Sequence, residues 1–171
     1  HILLDTDYLS GASMSKLEEI GSALKRFKAQ KPIIAVGDSF MASQYFLAAH
    51  ADEILINPMG EVMITGLSSY RSYFKEALDK LKITMNIFRA GEFKSAVEPL
   101  MGNSMSPQVK EETKLLLGDL WQFYSTEIEQ LRDLEKGTVD KYVNNLYLDI
   151  MDSGGDTAQI AKAYGLVDVI A

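Results

Sequence analysis

The sequence contains no cysteine, which excludes a disulfide framework, a thiol nucleophile and a cysteine-ligated zinc site. Histidine is nearly absent too, with only His1 and His50, so histidine-based acid–base chemistry has little to draw on. No run approaches the roughly 18 apolar residues of a spanning helix, and no charged-then-apolar signal segment opens the chain. Positive charge is in deficit: 17 Lys and Arg stand against 24 Asp and Glu, for a net charge of -7 and a pI near 4.8. With no basic stripe to displace counterions, the balance argues against a nucleic-acid partner. Internal repeats and low-complexity linkers are missing as well. What remains is 171 residues at 47% hydrophobic content, enough to bury one core, and a single domain over residues 1–171 is expected.

The patterns present alternate between strand and helix. Ile2 to Leu4 read as a strand, followed by a loop through Asp5, Thr6, Asp7, Gly11 and Ala12. Ser15 and Glu18 form a capping-box pattern, and Leu17, Ile20, Leu24 and Phe27 carry a helix to about Gln30. Pro32 then opens a second strand, Ile33 to Val36, ended by Gly37. A strand, a helix and a strand in this order imply a parallel sheet with a right-handed crossover. Glu53 to Asn57 give a third strand, Pro58 and Gly60 its turn, and Val62 to Ile64 a short fourth. Tyr70, Phe74, Ala77, Leu78 and Leu81 predict an amphipathic helix leading into a strand over Ile83 to Phe88. Ser106 as cap and Pro107 at the first position start the longest helix. Its apolar face runs through Val109, Leu116, Leu120, Tyr124, Ile128 and Leu131 to about Leu134. Trp121 widens that face, and Glu111, Glu112, Glu127 and Glu129 read as its solvated side. A less regular helix follows over Thr138 to Met151. Asp156 with Gln159 caps a last helix that Gly165 ends, and Leu166 to Ile170 close the chain as a strand or extended arm. The fold class is α/β with a mainly parallel sheet.

Several residues present themselves for chemistry. Gly37-Asp38-Ser39 after a strand resembles an esterase serine motif, but such a serine needs a histidine from an Asp-x-x-His near the C-terminus. Neither histidine stands in that context, so Ser39 reads as a loop hydroxyl or helix cap. His50 follows the apolar residues Tyr45, Phe46 and Ala49 with no serine or cysteine placed for it, and reads as a surface or cap histidine. Asp5 and Asp7 lack a third ligand and read as a solvated strand end; no metal is assigned. Gly154 and Gly155 precede a helix, but no phosphate or other cofactor is assigned to them. Lys94 follows the turn at Gly91 amid Ala90, Ala96 and Val97. On the residues alone it is either a solvated side chain or a desolvated base. Ser95 beside it is no partner, because adjacent side chains do not face one another.

The run FRAGEFKSAVEPLMGNSMSP, Phe88 to Pro107, resembles the lysine segment of the signal peptide peptidase A (protease IV) family in its bacterial long form. The resemblance extends through PIIAVGDSFMASQYFLAAHADEILINPMG before it and LWQFY and SGGDTAQIAKAYGLVDVIA after it, nearly the whole chain. It implies a crotonase/ClpP-like fold and a Ser-Lys dyad protease that degrades cleaved signal peptides. In such a protease Lys94 is the general base and no cofactor takes part. Long-form members consist of two homologous halves, lysine in the first and serine in the second, and this chain resembles the first. Aligning Tyr45 to Ala48 with the end of the family's Ser-Gly-Gly-Tyr-Tyr motif puts Ala42 at the nucleophile and Ser43 one residue late. The loop Leu9 to Ser13, with one glycine, reads as a plain turn rather than an oxyanion loop.

The resemblance further implies partners: peptide substrates, a serine-bearing homologous domain in the same chain or an adjacent subunit, and a homo-oligomer. The expected location is the extracytoplasmic face of a bacterial inner membrane. The chain starts within an apparent strand, so it is expected to lack the fold's first strands, and membrane attachment would use a segment outside it. A catalytically silent crotonase-like domain for assembly or peptide binding is the alternative. An acyl-CoA hydratase shares the fold but finds no support in the Lys94 segment.

Overall fold

The computed structural model describes residues 1–86 and 95–171. They divide into two compact units, His1–Gly66 with Gln122–Ala171, and Leu67–Trp121.

The first unit holds the strands β1 (Ile2–Asp5), β2 (Ile33–Gly37), β3 (Phe40–Met41), β4 (Glu53–Ile56), β5 (Val62–Met63) and β6 (Val169–Ile170). The order β1-β2-β4-β6 makes one sheet, parallel throughout, and β3 and β5 form a second parallel pair. Ile33 and Ala35 of β2 are fully buried on one face, while Ile34 and Val36 are half-buried on the other, as a strand covered on both faces requires. Helix α1 (Met14–Lys28) buries Leu17, Gly21 and Leu24, and Lys25, Arg26 and Lys28 in its last turn complement the helix dipole. Its start differs from expectation. Ser13 holds the cap position with extended backbone and makes no side-chain cap, whereas Ser15 is already helical and only meets the Ser13 hydroxyl at 3.2 Å. A cap must precede the first helical residue, so the Ser15–Glu18 box does not form.

Helix α2 (Ala42–Ala48) supplies the centre of the core, with Gln44 to Ala48 all buried. Strand ends are fastened by carboxylates: Ile33 N donates to Asp52 Oδ2 and Ile54 N to Asp168 Oδ2, both at 2.8 Å. Arg132 pairs with the other Asp168 oxygen at 2.6 Å. The C-terminal strand expected over Leu166 to Ile170 is formed at Val169–Ile170, beside β4.

The second unit contains α3 (Lys75–Lys80), a 3-10 turn at Ser95–Val97, α4 (Glu98–Met101) and the start of α5 (Pro107–Leu131). Ser106 caps α5 as expected, its Oγ accepting from Val109 N at 3.4 Å. Two expectations fail here. The helix from Tyr70 to Leu81 contracts to α3, none of whose residues is buried. It ends where Lys82 takes a left-handed backbone (φ 56°) and Ile83 N reaches back to Leu78 O at 2.9 Å. The strand over Ile83 to Phe88 is not formed at Ile83 to Asn86, whose backbone is irregular; Ile87 and Phe88 are outside the described residues.

Within the first unit, the end of α5 buries Tyr124 and Ile128 and is followed by α6 (Thr138–Asp152) and α7 (Thr157–Ala163). Glu129, expected in the solvated side of α5, is instead 7% exposed. Its Oε1 accepts from Gly137 N and Val139 N at 2.9 and 3.0 Å, serving the otherwise uncapped start of α6. Asp156 caps α7 through Gln159 N at 3.0 Å, as expected.

Candidate functional site

In the first unit, the polar groups gather where α2 begins and where β1, β2 and β4 end. Gln44 organises this edge. Its Oε1 accepts from Met41 N at 2.7 Å, satisfying a donor that the first turn of α2 leaves free, and its Nε2 donates to Thr6 O and Leu9 O at 2.9 and 3.2 Å. One buried amide therefore ties the loop after β1 to the start of α2. Tyr124 of α5 donates to Ala42 O at 2.7 Å. Burial raises the Tyr124 phenol well above its ordinary pKa, as it does for Tyr45 and Tyr142, which donate to Leu166 O and Val62 O at 2.6 Å. These three hydroxyls are permanent donors near neutrality, not bases.

Beside this edge lies a cleft of about 250 Å³ bounded by Asp7, Asp38 and Asn57. Its polar groups are bonded to one another: Asp38 N donates to Asp7 Oδ1 at 3.1 Å and Asn57 Nδ2 to Asp38 Oδ1 at 3.2 Å. Gly60 closes the turn after β4 at a point where a Cβ would stand 2.1 Å from Asp38 O. Asp5 takes part by accepting from Asp7 N at 3.0 Å. Among the described residues no group of three His, Cys, Asp or Glu is placed to hold a metal ion.

The serine and histidine candidates do not come together. Ser39 lies between β2 and β3 rather than at a helix cap, and Ser43 is the second residue of α2, half-buried. His50 is no surface histidine: at 2% exposure it is part of the core, its Nδ1–H donating to Phe46 O at 2.9 Å and its ring edge-on to Phe46. Its Nε2 lies so close to α1 that a Cβ at Gly21 would stand 2.5 Å away. Burial first, then the nearby charges of Lys25 and Lys28, lowers its pKa below 6.5. Among the described residues no serine hydroxyl bonds to a lysine or histidine.

Lys94 lies outside the described residues, as do Ala90, Gly91 and Glu92. The chain resumes at the turn Ser95–Val97, and the first titratable side chain after it is Glu98. Glu98 Oε1 accepts from Ser106 N at 3.1 Å and Oε2 from the Tyr73 hydroxyl at 3.2 Å. Phe74 N donates to Pro99 O at 2.7 Å and Glu76 N to Asn103 Oδ1 at 3.1 Å. In the same unit a cleft of about 300 Å³ is lined by Leu78, Ile83, Met85, Leu100 and Met101, with Lys75 and Asp79 also on its wall.

Sequence reasoning missed Gln44, Tyr124, Glu129 and Glu98. Only Gln44 left a local trace, standing three residues after the helix boundary where a capping side chain reaches back; the others act on partners that periodicity does not connect.

The family model described as peptidase family S49 matches residues 25–171. The chain belongs to peptidase family S49. Among curated relatives, Protease 4 of Haemophilus influenzae is 40% identical over 171 residues, covering 99% of this chain, and Protease 4 of Salmonella typhi is 36% identical over the same share. The chain spans 28% of the length of each. The chloroplastic serine protease SPPA of Arabidopsis thaliana is 24% identical over 144 residues, 84% of this chain and 21% of that protein. The mixed α/β architecture with its mainly parallel sheet is consistent with the crotonase/ClpP-like fold of family S49.

Proposed function

We propose that this chain is the lysine-bearing domain of a membrane-associated bacterial serine protease that degrades signal peptides. What carries the reading is that two relatives named Protease 4 match 99% of the chain, the Lys94 segment included, at 36% and 40% identity. Lys94 acts as general base for a serine supplied by a homologous domain, in the same polypeptide or in an adjacent subunit of a homo-oligomer. The neutral amine takes the proton of the serine hydroxyl as its oxygen attacks the peptide carbonyl. The resulting ammonium then protonates the departing amine, and water releases the acyl group by the same exchange. A free lysine has a pKa near 10.4, so acting near neutrality requires a depression of about three units, roughly 4 kcal/mol, for which desolvation is the available cause. Neighbours such as Ala90, Ala96 and Val97 suit that. An ion pair with Glu92 would defeat it.

Ala42 stands where the family motif places the nucleophile, so this domain supplies none of its own. The cleft beside Leu100 and Met101, whose wall mixes apolar side chains with Lys75, Asp79 and Thr84, suits a short stretch of peptide. Membrane attachment uses a segment outside this chain in this reading; among the described residues no helix is long and apolar enough to cross a membrane.

The test uses the full-length protein and a fluorogenic peptide. Lys94→Ala loses about 100-fold to 10000-fold in turnover with its circular dichroism unchanged, and Lys94→Arg does not restore it, because a guanidinium stays protonated. The 171-residue chain alone is inert. Parent-level turnover in Lys94→Ala would remove the lysine from the mechanism and leave the silent assembly domain as the reading.

A further inference from the structure

The second unit has almost no interior. Among the described residues of Leu67–Trp121 only Val109 is buried, and α3 and α4 bury none of theirs. A stretch so short of covered side chains gains little from burial within the chain, and its apolar groups gain more where another surface covers them. Charge divides between the units in a matching way. By sequence the second unit carries eight Lys and Arg against seven Asp and Glu, a net +1, while the first carries nine against seventeen, a net -8.

Two small apolar faces bring this division to the surface. At the end of α3, Leu81 is mostly exposed between the exposed Lys80 and Lys82. Lys80 is shared with Glu76 at 2.9 Å, whereas Lys82 makes no ion pair among the described residues. On α6, Tyr147, Leu148 and Met151 are each more than half exposed, and spacings of three and four residues put them on one side of the helix. The exposed Asn144 and Asp152 flank that side, and no residue three or four positions from the apolar three is basic. The exposed apolar pair of α5, Leu115 and Leu116, has Glu111, Glu112 and Asp119 beside it instead. Those carboxylates would repel Asp152, so charge selects the end of α3 as the complement of the α6 face.

We propose that the end of α3, with Leu81 and Lys82, docks on the α6 face of Tyr147, Leu148, Met151 and Asp152 in a second copy of this chain. The proposal rests on the reading of the protein as a homo-oligomer and names the surfaces that join it. The two faces differ, so the contact is heterologous: each copy offers one face forward and the other behind, and copies run head to tail. Apolar side chains form the centre of the contact, and the Lys82–Asp152 pair at its rim gives it direction. Neither Leu81 nor Lys82 lines the cleft of the second unit, so the contact is separate from the peptide cleft proposed above.

The experiment uses the full-length protein, with oxidative cross-linking and sedimentation velocity over a range of concentrations. The 171 residues contain no cysteine, so Leu81→Cys in one preparation and Leu148→Cys in a second, differently tagged, mark the two faces separately. Once the two are mixed and oxidised, a disulfide joining the two tags is expected. Leu116→Cys in place of Leu81→Cys should give much less of it. In sedimentation, Lys82→Glu and Asp152→Lys each weaken association about 10-fold, and the two together restore it to within about threefold of the parent. Thermal melting of each variant checks that it is folded. A parent that assembles but yields no disulfide between the tags, or whose assembly ignores both charge variants, overturns this interface and leaves the homo-oligomer reading standing. A parent that sediments as a monomer throughout overturns both.

Discussion

His50 shows how packing reverses the meaning of a residue. An imidazole following an apolar stretch reads as a surface or cap group, yet here it is enclosed by α1 and α2, with Gly21 leaving room for its edge. The pH consequence follows from the lowered pKa. In the folded chain the ring stays neutral below pH 6.5, whereas in the unfolded chain it takes up a proton there, so the unfolded state binds more protons. The stability this contributes is complete above about pH 6.5 and is lost progressively as pH falls toward the folded-state pKa. We expect the thermal midpoint of the parent to fall more steeply, as pH drops below about 6.5, than that of His50→Phe, which removes this titration while filling similar space. Parallel slopes in the two proteins would show that His50 does not titrate in the way its burial requires.

At the scale of elements, helix boundaries were legible where the capping group lies within one turn, and illegible where it comes from another helix. Ser106 and Asp156 each bond an N–H three residues on, so spacing alone locates α5 and α7. The start of α6 is different: Gly137 at its cap position has a left-handed backbone and no side chain, and Glu129 of α5 serves the free N–H groups instead. Glu129→Ala should cost about 1–3 kcal/mol in urea unfolding, because two N–H groups of the first turn lose their acceptor. Glu129→Gln should cost less, since an amide oxygen can still accept. An alanine variant as stable as the parent would return Glu129 to the solvated surface. The contraction of α3 belongs to this scale too. Periodicity saw Tyr70, Phe74 and Leu81 as one apolar face, but Tyr70 is 94% and Leu81 69% exposed, so within this unit nothing repays extending the helix.

For the whole molecule, the second unit leaves a run of large apolar side chains in contact with water, among them Phe74, Ile83, Met85, Met101, Leu115 and Leu116. The first unit has a dense core of Phe40, Tyr45, Ile54, Ile56 and Ile128, though it too leaves large apolar groups bare, among them Tyr8, Met59 and Tyr147. Apolar surface of that extent favours association, and it supports the proposal that the protein works as an assembly. Light scattering on the 171-residue chain at high micromolar concentration should report oligomers or aggregates. A clean monomer would count against assembly through this domain.

The sequence by itself determined the α/β class, the strands at Ile33 and Glu53, the caps at Ser106 and Asp156, and the lysine segment with its family likeness. Each of these depends on side chains a few residues apart, where alternation, helical spacing or a motif is written directly into the order of the chain. Tertiary structure alone decided that Gln44 ties down a loop 35 to 38 residues before it. It likewise decided that Glu98 holds Tyr73, 25 residues before it, and that His50 is sealed in the core against Gly21. Those partners are chosen by which elements pack against which, and a buried polar group must find its hydrogen bond wherever the fold has brought a complementary one, at whatever distance along the chain.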